Sequence, residues 1–439
     1  MSTTFFDDFK LDDWLYFLEN RHKEVIQLRL ANVELVATQL DLLTPNATII
    51  TVAGTNGKGS TVSTLEAIYC AAGYRVGSYT SPHLLTFNER IRVNQQPIGD
   101  DLLCAAFNSI EHAREEIMLT YFETVTLAAL LHFKQLKVDI IILEVGMGGR
   151  LDATNIIDSD LAIITTVDLD HQDYLGDNIE AIGYEKAGIL RANKPCIYAD
   201  YKPPASVVEQ AKRLNAPMQC LGENYHVNTT HDELHILRQS GDSLMLPKPQ
   251  LNWKAAAAAV LASDTLRSIL PVTNAAWIQA MKTVTLSGRQ QVVKNRFFSN
   301  NDVITIVDVA HNPQAVTLLA DFVKQLEPKG KVHAVFSGLK DKDLCGLIRP
   351  MKGCVMFWYP AMLSGNRAAS EALLLAAFQA ETGTIPTCFS NPLVAYRSAM
   401  QRAKPGDLIV VYGSFLTVQY ILGATEMEHE ESCDEICNE

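Results

Sequence analysis

Residues 50–77 read ITVAGTNGKGSTVSTLEAIYCAAGYRVG. Three glycines, Gly54, Gly57 and Gly59, surround Lys58, and two hydroxyl residues, Ser60 and Thr61, follow. Such a set can hold a polyphosphate. Glycines let the backbone turn tightly and aim its N–H groups inward. Lys58 can neutralise phosphate oxygens, and the Ser60 or Thr61 hydroxyl can reach a magnesium ion. The spacing departs from G-x-x-x-x-G-K-[ST], because Val52 stands where the first glycine belongs and Gly59 separates Lys58 from Ser60. Context favours the phosphate reading. An apolar run precedes the loop, and a helical pattern follows whose N-terminus carries partial positive charge. A strand–helix turn with a surface lysine is the plainer alternative.

Two more stretches carry groups suited to the same chemistry. ILEVGMGGRLDATN (142–155) ends an apolar run on Glu144, and TTVDLDHQDYLG (165–176) puts Asp170 and His171 just past another. Magnesium prefers oxygen ligands and keeps several waters. Glu144 suits it; His171 is less usual, although imidazole can ligate metals. Taken singly, such a glutamate is more often salt-bridged and such a histidine structural. Their shared place at the ends of apolar runs raises both above that expectation.

The elements that must position these residues form an alternating series. ATIITVAG, VDIIILEVGMGG, LAIITTVDLD and KPCIYAD read as buried strands, with helical sequence between them. The helix after the loop closes on Gly73. A βαβ series predicts an α/β fold: a P-loop-type parallel sheet with helices on both faces, its ligands at the carboxyl ends of the strands. The series weakens over 201–247, and LNWKAAAAAVLASDTL is a helix. A second series from about residue 300 predicts a smaller, Rossmann-like α/β domain. The expected division is 1–288, 289–425 and an acidic tail, 426–439, with the boundary at LSGRQQVV (286–293).

At 439 residues the chain is long enough for two domains. Its 48% hydrophobic and 20% charged residues are those of a globular protein. A net charge of −13 argues against a nucleic-acid partner, which calls for a basic face. No apolar run approaches the ~18 residues of a membrane span, and the N-terminus lacks a signal-peptide layout. The nine cysteines are scattered, without paired metal spacing, as in a reduced cytoplasmic protein.

The motifs AGTNGKGST, YTSPHL, NERIRV, LTYFE, ILEVGMGGRLDATN, LDHQDYLG, IGYEKAGI, SGRQQ, DVAHNP, DKD and VYGSFLTV follow in this order between residues 53 and 418, within a similarity that extends from about residue 8 to 425. In that order they resemble the folylpolyglutamate synthases of the Mur ligase superfamily, especially the bacterial branch that also has dihydrofolate synthase activity. The loop form G-T-N-G-K-G-[ST] is that superfamily's own. The resemblance implies an ATP-binding loop of Gly54, Thr55, Asn56, Gly57, Lys58, Gly59, Ser60 and Thr61. It implies two magnesium ions held by Ser60, Ser81, Glu144, His171 and Lys186, the last carried as a carbamate. That modification turns a cation into an anionic oxygen ligand; the alternative is an ordinary surface lysine. Asn252 matches the adenine contact, Arg289 and Asp308 match ATP contacts of the linker and second domain, and His311 stands near the reacting groups. Lys58, Lys186, His171 and His311 are the expected catalytic set. Thr120, Phe122, Asp152 and Ala153 are the candidate pterin contacts, although a helix start with a core phenylalanine would look the same locally. Trp253, Lys254, Ser337 and Leu416 depart from the family pattern.

The implied reaction is ATP-dependent amide formation. A pteroate carboxylate attacks the γ-phosphorus, and the amine of L-glutamate then displaces phosphate from the acyl phosphate. The implied partners are dihydropteroate or tetrahydrofolate and L-glutamate, with ATP and magnesium, in a monomer. Three other readings stand beside this one. The first is folylpolyglutamate synthase activity alone. The second is a cell-wall Mur ligase, for whose uridine-nucleotide domain the 53 residues before Gly54 are too few. The third is a non-catalytic P-loop regulatory module, which has no use for Glu144, His171 and Lys186 together.

Overall fold

The computed structural model describes Phe6, residues 8–21, 29–293 and 303–424; the acidic tail lies outside them. The chain divides into two compact units, Met1–Thr285 and Leu286–Glu439.

The first unit is built on eight strands: β1 Thr48–Ala53, β2 Val76–Tyr79, β3 Ile91–Val93, β4 Gln96–Pro97, β5 Ile140–Glu144, β6 Leu161–Ile164, β7 Cys196–Tyr198 and β8 Met218–Cys220. Their order is β4-β3-β2-β5-β1-β6-β7-β8. From β2 to β8 the neighbours run parallel. The β3–β4 hairpin adds an antiparallel edge, so the sheet is parallel only in the main. Asn94 and Gln95, both at positive φ, make its turn.

The central strands are buried on both faces, which is why they read as unbroken apolar runs. Ile141 and Leu143 of β5 join a core with Val125 and Phe133 of the helix Tyr121–Leu136. Their neighbours Ile140 and Ile142 are equally buried and point the other way. The helix after the loop, Lys58–Ala71, packs against β1, β2 and β5 on one side and the helices Trp253–Thr265 and Asn274–Thr283 on the other. Nearly every residue from Ser60 to Tyr69 is therefore buried, and no amphipathic stripe is needed.

The stretch 201–247 holds more order than its sequence predicts. After β8 comes a three-stranded antiparallel sheet of β9 Tyr225–Thr229, β10 Glu233–Arg238 and β11 Ser243–Pro247.

The second unit holds β12 Gln291–Val293, β13 Ile304–Val307, β14 Val332–Phe336, β15 Phe357–Pro360 and β16 Leu408–Tyr412. Their order is β12-β13-β16-β14-β15, parallel except for β12. Its own core packs Val316, Leu319 and Val323 of the helix Pro313–Gln325 against Ile306, Ala334 and Val410.

Candidate active site

Four adjacent strands, β2, β5, β1 and β6, deliver their carboxyl ends to one edge of the first unit. Ser81 follows β2, Glu144 ends β5, the glycine loop follows β1, and Asp170 and His171 follow β6. Strand order brings together residues that are far apart in sequence, at the place where open α/β sheets bind ligands.

The loop is braced from β6. Thr165 Oγ1 donates to the carbonyls of Asn56 (2.6 Å) and Ala53 (3.2 Å). Thr166 Oγ1 accepts the Asn56 N–H at 2.9 Å, and the Thr166 carbonyl accepts the Thr55 N–H at 2.9 Å. Thr55 Oγ1 donates to the Asp168 carbonyl (3.2 Å) and accepts the Asp168 N–H (3.0 Å). The amides of Thr55 and Asn56 are thus used in shaping the loop. Those from Gly57 onward open the helix, with Gly57 at φ 89 as its N-cap. Lys58 Nζ folds back to the Gly54 carbonyl at 2.9 Å.

Glu144 is buried, and its Oε2 accepts the Ser81 N–H at 3.2 Å. His171 sits in the left-handed region and caps a short helix, its Nε2 3.8 Å from Asp170 Oδ2. Lys186 is 3% exposed in the last turn of the helix Ile179–Ala187. Burial, with the repulsion of nearby Lys58, pushes its amine down to about 7.

Phe122 and Asp152 meet at Gly146, just past β5, with Thr120 at the start of the helix that carries Phe122 and Ala153 next to Asp152. Thr120 caps the helix Tyr121–Leu136 in a reciprocal box with Glu123, as a helix start would. The Phe122 ring lies against Gly146, whose missing side chain leaves its space: a Cβ there would fall 2.6 Å from Phe122 Cζ. Asp152 is buried, Oδ2 accepting the Met147 N–H (3.0 Å) and Oδ1 both donors of Thr154. Burial raises its carboxyl while those donors oppose the rise. Tyr79, absent from the sequence-based set, stands 5.8 Å from Phe122, centroid to centroid.

Asn252 caps the helix Trp253–Thr265 through Oδ1, which leaves its amide N–H groups for any ligand. The departures beside it have partners: Lys254 Nζ pairs with Asp200 (2.5 Å) and lies over the Tyr201 and Trp253 rings.

In the second unit Asp308 is buried at the end of β13, accepting the Gln290 and Ala310 N–H groups. Burial raises its carboxyl and Arg289 draws it back. Phe415, which the sequence does not single out, lies under the Arg289 guanidinium (5.6 Å) and meets the His311 ring at a tilt (5.7 Å, 52°). His311 Nδ1 is 2.9 Å from the Val309 carbonyl.

Residues 52–250 match the Mur ligase middle domain, and residues 288–415 the Mur ligase glutamate ligase domain. The chain is 42% identical over 415 residues to the dihydrofolate synthase/folylpolyglutamate synthase of Escherichia coli (strain K12), covering 94% of each chain. The structure of E. coli FolC in complex with DHPP and ADP superposes with a TM-score of 0.90 at 41% identity, covering 96% of this chain and 99% of that one. A bifunctional folylpolyglutamate synthase/dihydrofolate synthase from Yersinia pestis, complexed with AMPPNP and Mn ion, gives 0.88 at 41% identity, covering 95% and 98%. With a braced glycine loop, a strand-end acid and a buried lysine on one sheet edge, and with near full-length identity to these enzymes, the chain belongs to the dihydrofolate synthase/folylpolyglutamate synthase family of Mur ligases.

Proposed function

We propose that the chain is an ATP-dependent ligase that joins L-glutamate to dihydropteroate and to tetrahydrofolates. The observation that carries this reading is the meeting of the glycine loop, Ser81, Glu144 and His171 on four adjacent strand ends, next to the Phe122–Asp152 corner. A phosphoryl donor and a flat aromatic acid can therefore be held side by side.

The amides from Gly57 to Ser60 and Lys58 Nζ hold the ATP phosphates, with Thr61, whose own N–H closes the first helical turn onto the Gly57 carbonyl, behind them, while Gly54, Thr55 and Asn56 shape the loop. Asn252 contacts adenine through its amide N–H groups. In the second unit Arg289 and Asp308 match ATP contacts of the family and His311 matches a group near the reacting atoms. The support for these three is the motif match, the Phe415 ring that Arg289 and His311 share, and the place of Asp308 just past β13, where it accepts the Gln290 N–H. Thr120, Phe122, Asp152 and Ala153 line the pterin site.

Among the described residues no three His, Cys, Asp or Glu side chains gather tightly enough to hold a metal ion. The donor set Ser60, Ser81, Glu144 and His171 fits magnesium, which beside a nucleotide takes few protein ligands and relies on phosphate oxygens and water. Two ions would neutralise phosphate charge here. A carbamate on Lys186 would add a carboxylate to the set, and burial, by pushing the amine down to about 7, gives it far more of the neutral form that reacts with CO2 than an exposed lysine has.

The reaction follows from positioning and charge. The pteroate carboxylate attacks the γ-phosphorus, ADP leaves, and Lys58 holds the charge on the transferring group. The glutamate amine then attacks the acyl carbon, its proton is lost, and phosphate departs. The enzyme works in the cytoplasm as a monomer.

The deciding experiment is ADP release by the purified protein with ATP, magnesium and L-glutamate, adding dihydropteroate or tetrahydrofolate in parallel. Turnover with both is expected. Turnover with tetrahydrofolate alone leaves only the folylpolyglutamate synthase activity. Silence with both in a protein that binds ATP rejects the reading.

A further inference from the structure

Arg21 lies nearly a hundred residues from the LTYFE segment in sequence and touches it in space. The residue follows the helix Leu11–Asn20, and its side chain is 7% exposed. Nη2 donates to the Leu119 carbonyl and to Thr124 Oγ1, each at 2.8 Å. Thr124 Oγ1 passes the link on, donating to the Thr120 carbonyl at 3.0 Å. Nη1 meets the buried Glu111 carboxylate, whose second oxygen Arg114 holds at 2.5 Å. One guanidinium thus fixes the Leu119 carbonyl directly and the Thr120 carbonyl through Thr124, in the turn that leads through Tyr121 to Phe122. A buried charge commits three donors here, and a planar fork satisfies them with little loss of freedom.

We propose that Arg21 is a positioning residue for the pterin substrate: it sets the turn that places Thr120 and aims Phe122 at Gly146. The proposal rests on the reading of Thr120 and Phe122 as pterin contacts. Nothing in the arrangement requires Arg21 to touch the substrate. With Arg21 truncated, the Leu119 carbonyl and the Thr124 hydroxyl lose their charged donor and the turn is free to swing. Glu111 keeps Arg114, so no acid is stranded. The effect is confined to the pterin side, because the glycine loop is braced separately from Thr165 and Thr166.

The test is equilibrium binding of dihydropteroate, measured without oxygen, and steady-state kinetics for wild type, R21M, R21K and T124V, each checked for its melting transition. R21M should weaken dihydropteroate about tenfold, the worth of one charge-assisted hydrogen bond. KM for ATP should stay unchanged. R21K, which keeps the charge without the fork, should recover part of the loss. T124V removes the relay to Thr120 together with the Arg21–Thr124 bond but keeps the Arg21–Leu119 bond, should cost roughly threefold, and carries the test if R21M does not fold. Wild-type dihydropteroate affinity in folded R21M or T124V, or an equal rise in KM for ATP, overturns the proposal. Failure of the wild-type chain to bind dihydropteroate would instead overturn the pterin reading beneath it.

Discussion

Replacing Gly54 by alanine should disable the glycine loop, by an amount the geometry allows to be worked out. Gly54 sits at φ 148, a conformation side chains rarely adopt. A Cβ there would lie 1.8 Å from Thr165 Oγ1, 3.0 Å from Thr165 Cβ and 3.1 Å from Thr165 N. The hydroxyl cannot turn aside freely, because it holds the Asn56 and Ala53 carbonyls. Backbone strain of about 1–3 kcal/mol, overpacking of about 1–3 kcal/mol and one lost hydrogen bond of about 1 kcal/mol sum to roughly 3–7 kcal/mol. Set against a whole-domain stability of about 5–15 kcal/mol, a loss near the lower end, about 3 kcal/mol, leaves the unit folded but melting roughly 6–12 °C lower. The damage falls where phosphates are held, so KM for ATP should rise at least ~100-fold. The assay is ADP release against ATP concentration, with a thermal melt with and without ATP. Adding T165A removes the atom at 1.8 Å but leaves the strained φ and the neighbouring backbone, so rescue should be partial. A G54A protein with wild-type melting and wild-type KM for ATP would refute the reasoning.

Three other outcomes are expected. Lys58→Ala should lower glutamate-dependent ADP release at least ~100-fold with an unchanged melt; full activity would remove Lys58 from phosphoryl transfer. Gly146→Ala puts a methyl 2.6 Å from the Phe122 ring and 3.2 Å from Asp152 Oδ2. Overpacking of about 1–3 kcal/mol should raise KM for dihydropteroate roughly 5- to 150-fold and leave KM for ATP alone; the opposite pattern would move the pterin site elsewhere. Depleting CO2 and bicarbonate should lower turnover and restoring them should recover it, because the buried Lys186 amine needs CO2 to become a carboxylate ligand; activity indifferent to both counts against the carbamate.

What the sequence makes legible depends on what each element buries. β1, β5 and β6 are legible because each is covered on both faces, so the apolar run itself marks the strand. The sheet β9–β11 escapes the same reading because one face meets solvent. Its signal is alternation instead: Leu234 and Ile236 on β10 and Leu244 and Leu246 on β11 are buried, with more exposed residues between them. The β3–β4 edge is hidden for another reason. NERIRV draws attention as a motif, and the Asn94–Gln95 turn lacks the glycine that usually announces a tight hairpin.

At the site, residue types are legible and supports are not. Lys58, Glu144 and His171 stand out as polar groups just past apolar runs, while Lys186, inside IGYEKAGI, is reached only through the family resemblance. Thr165 and Thr166 do not, since two threonines after a strand look like more strand, which β-branched residues favour. Their task becomes visible only when β6 is placed beside β1. Arg21 is further from reach, since its partners at 111, 119 and 124 belong to a helix end and a turn whose proximity no local pattern encodes. A motif therefore fixes which atoms can react, while long-range packing fixes how firmly they are held. Substitutions in such supports should change substrate affinity while every motif stays intact, and the T124V and R21M measurements test that separation directly.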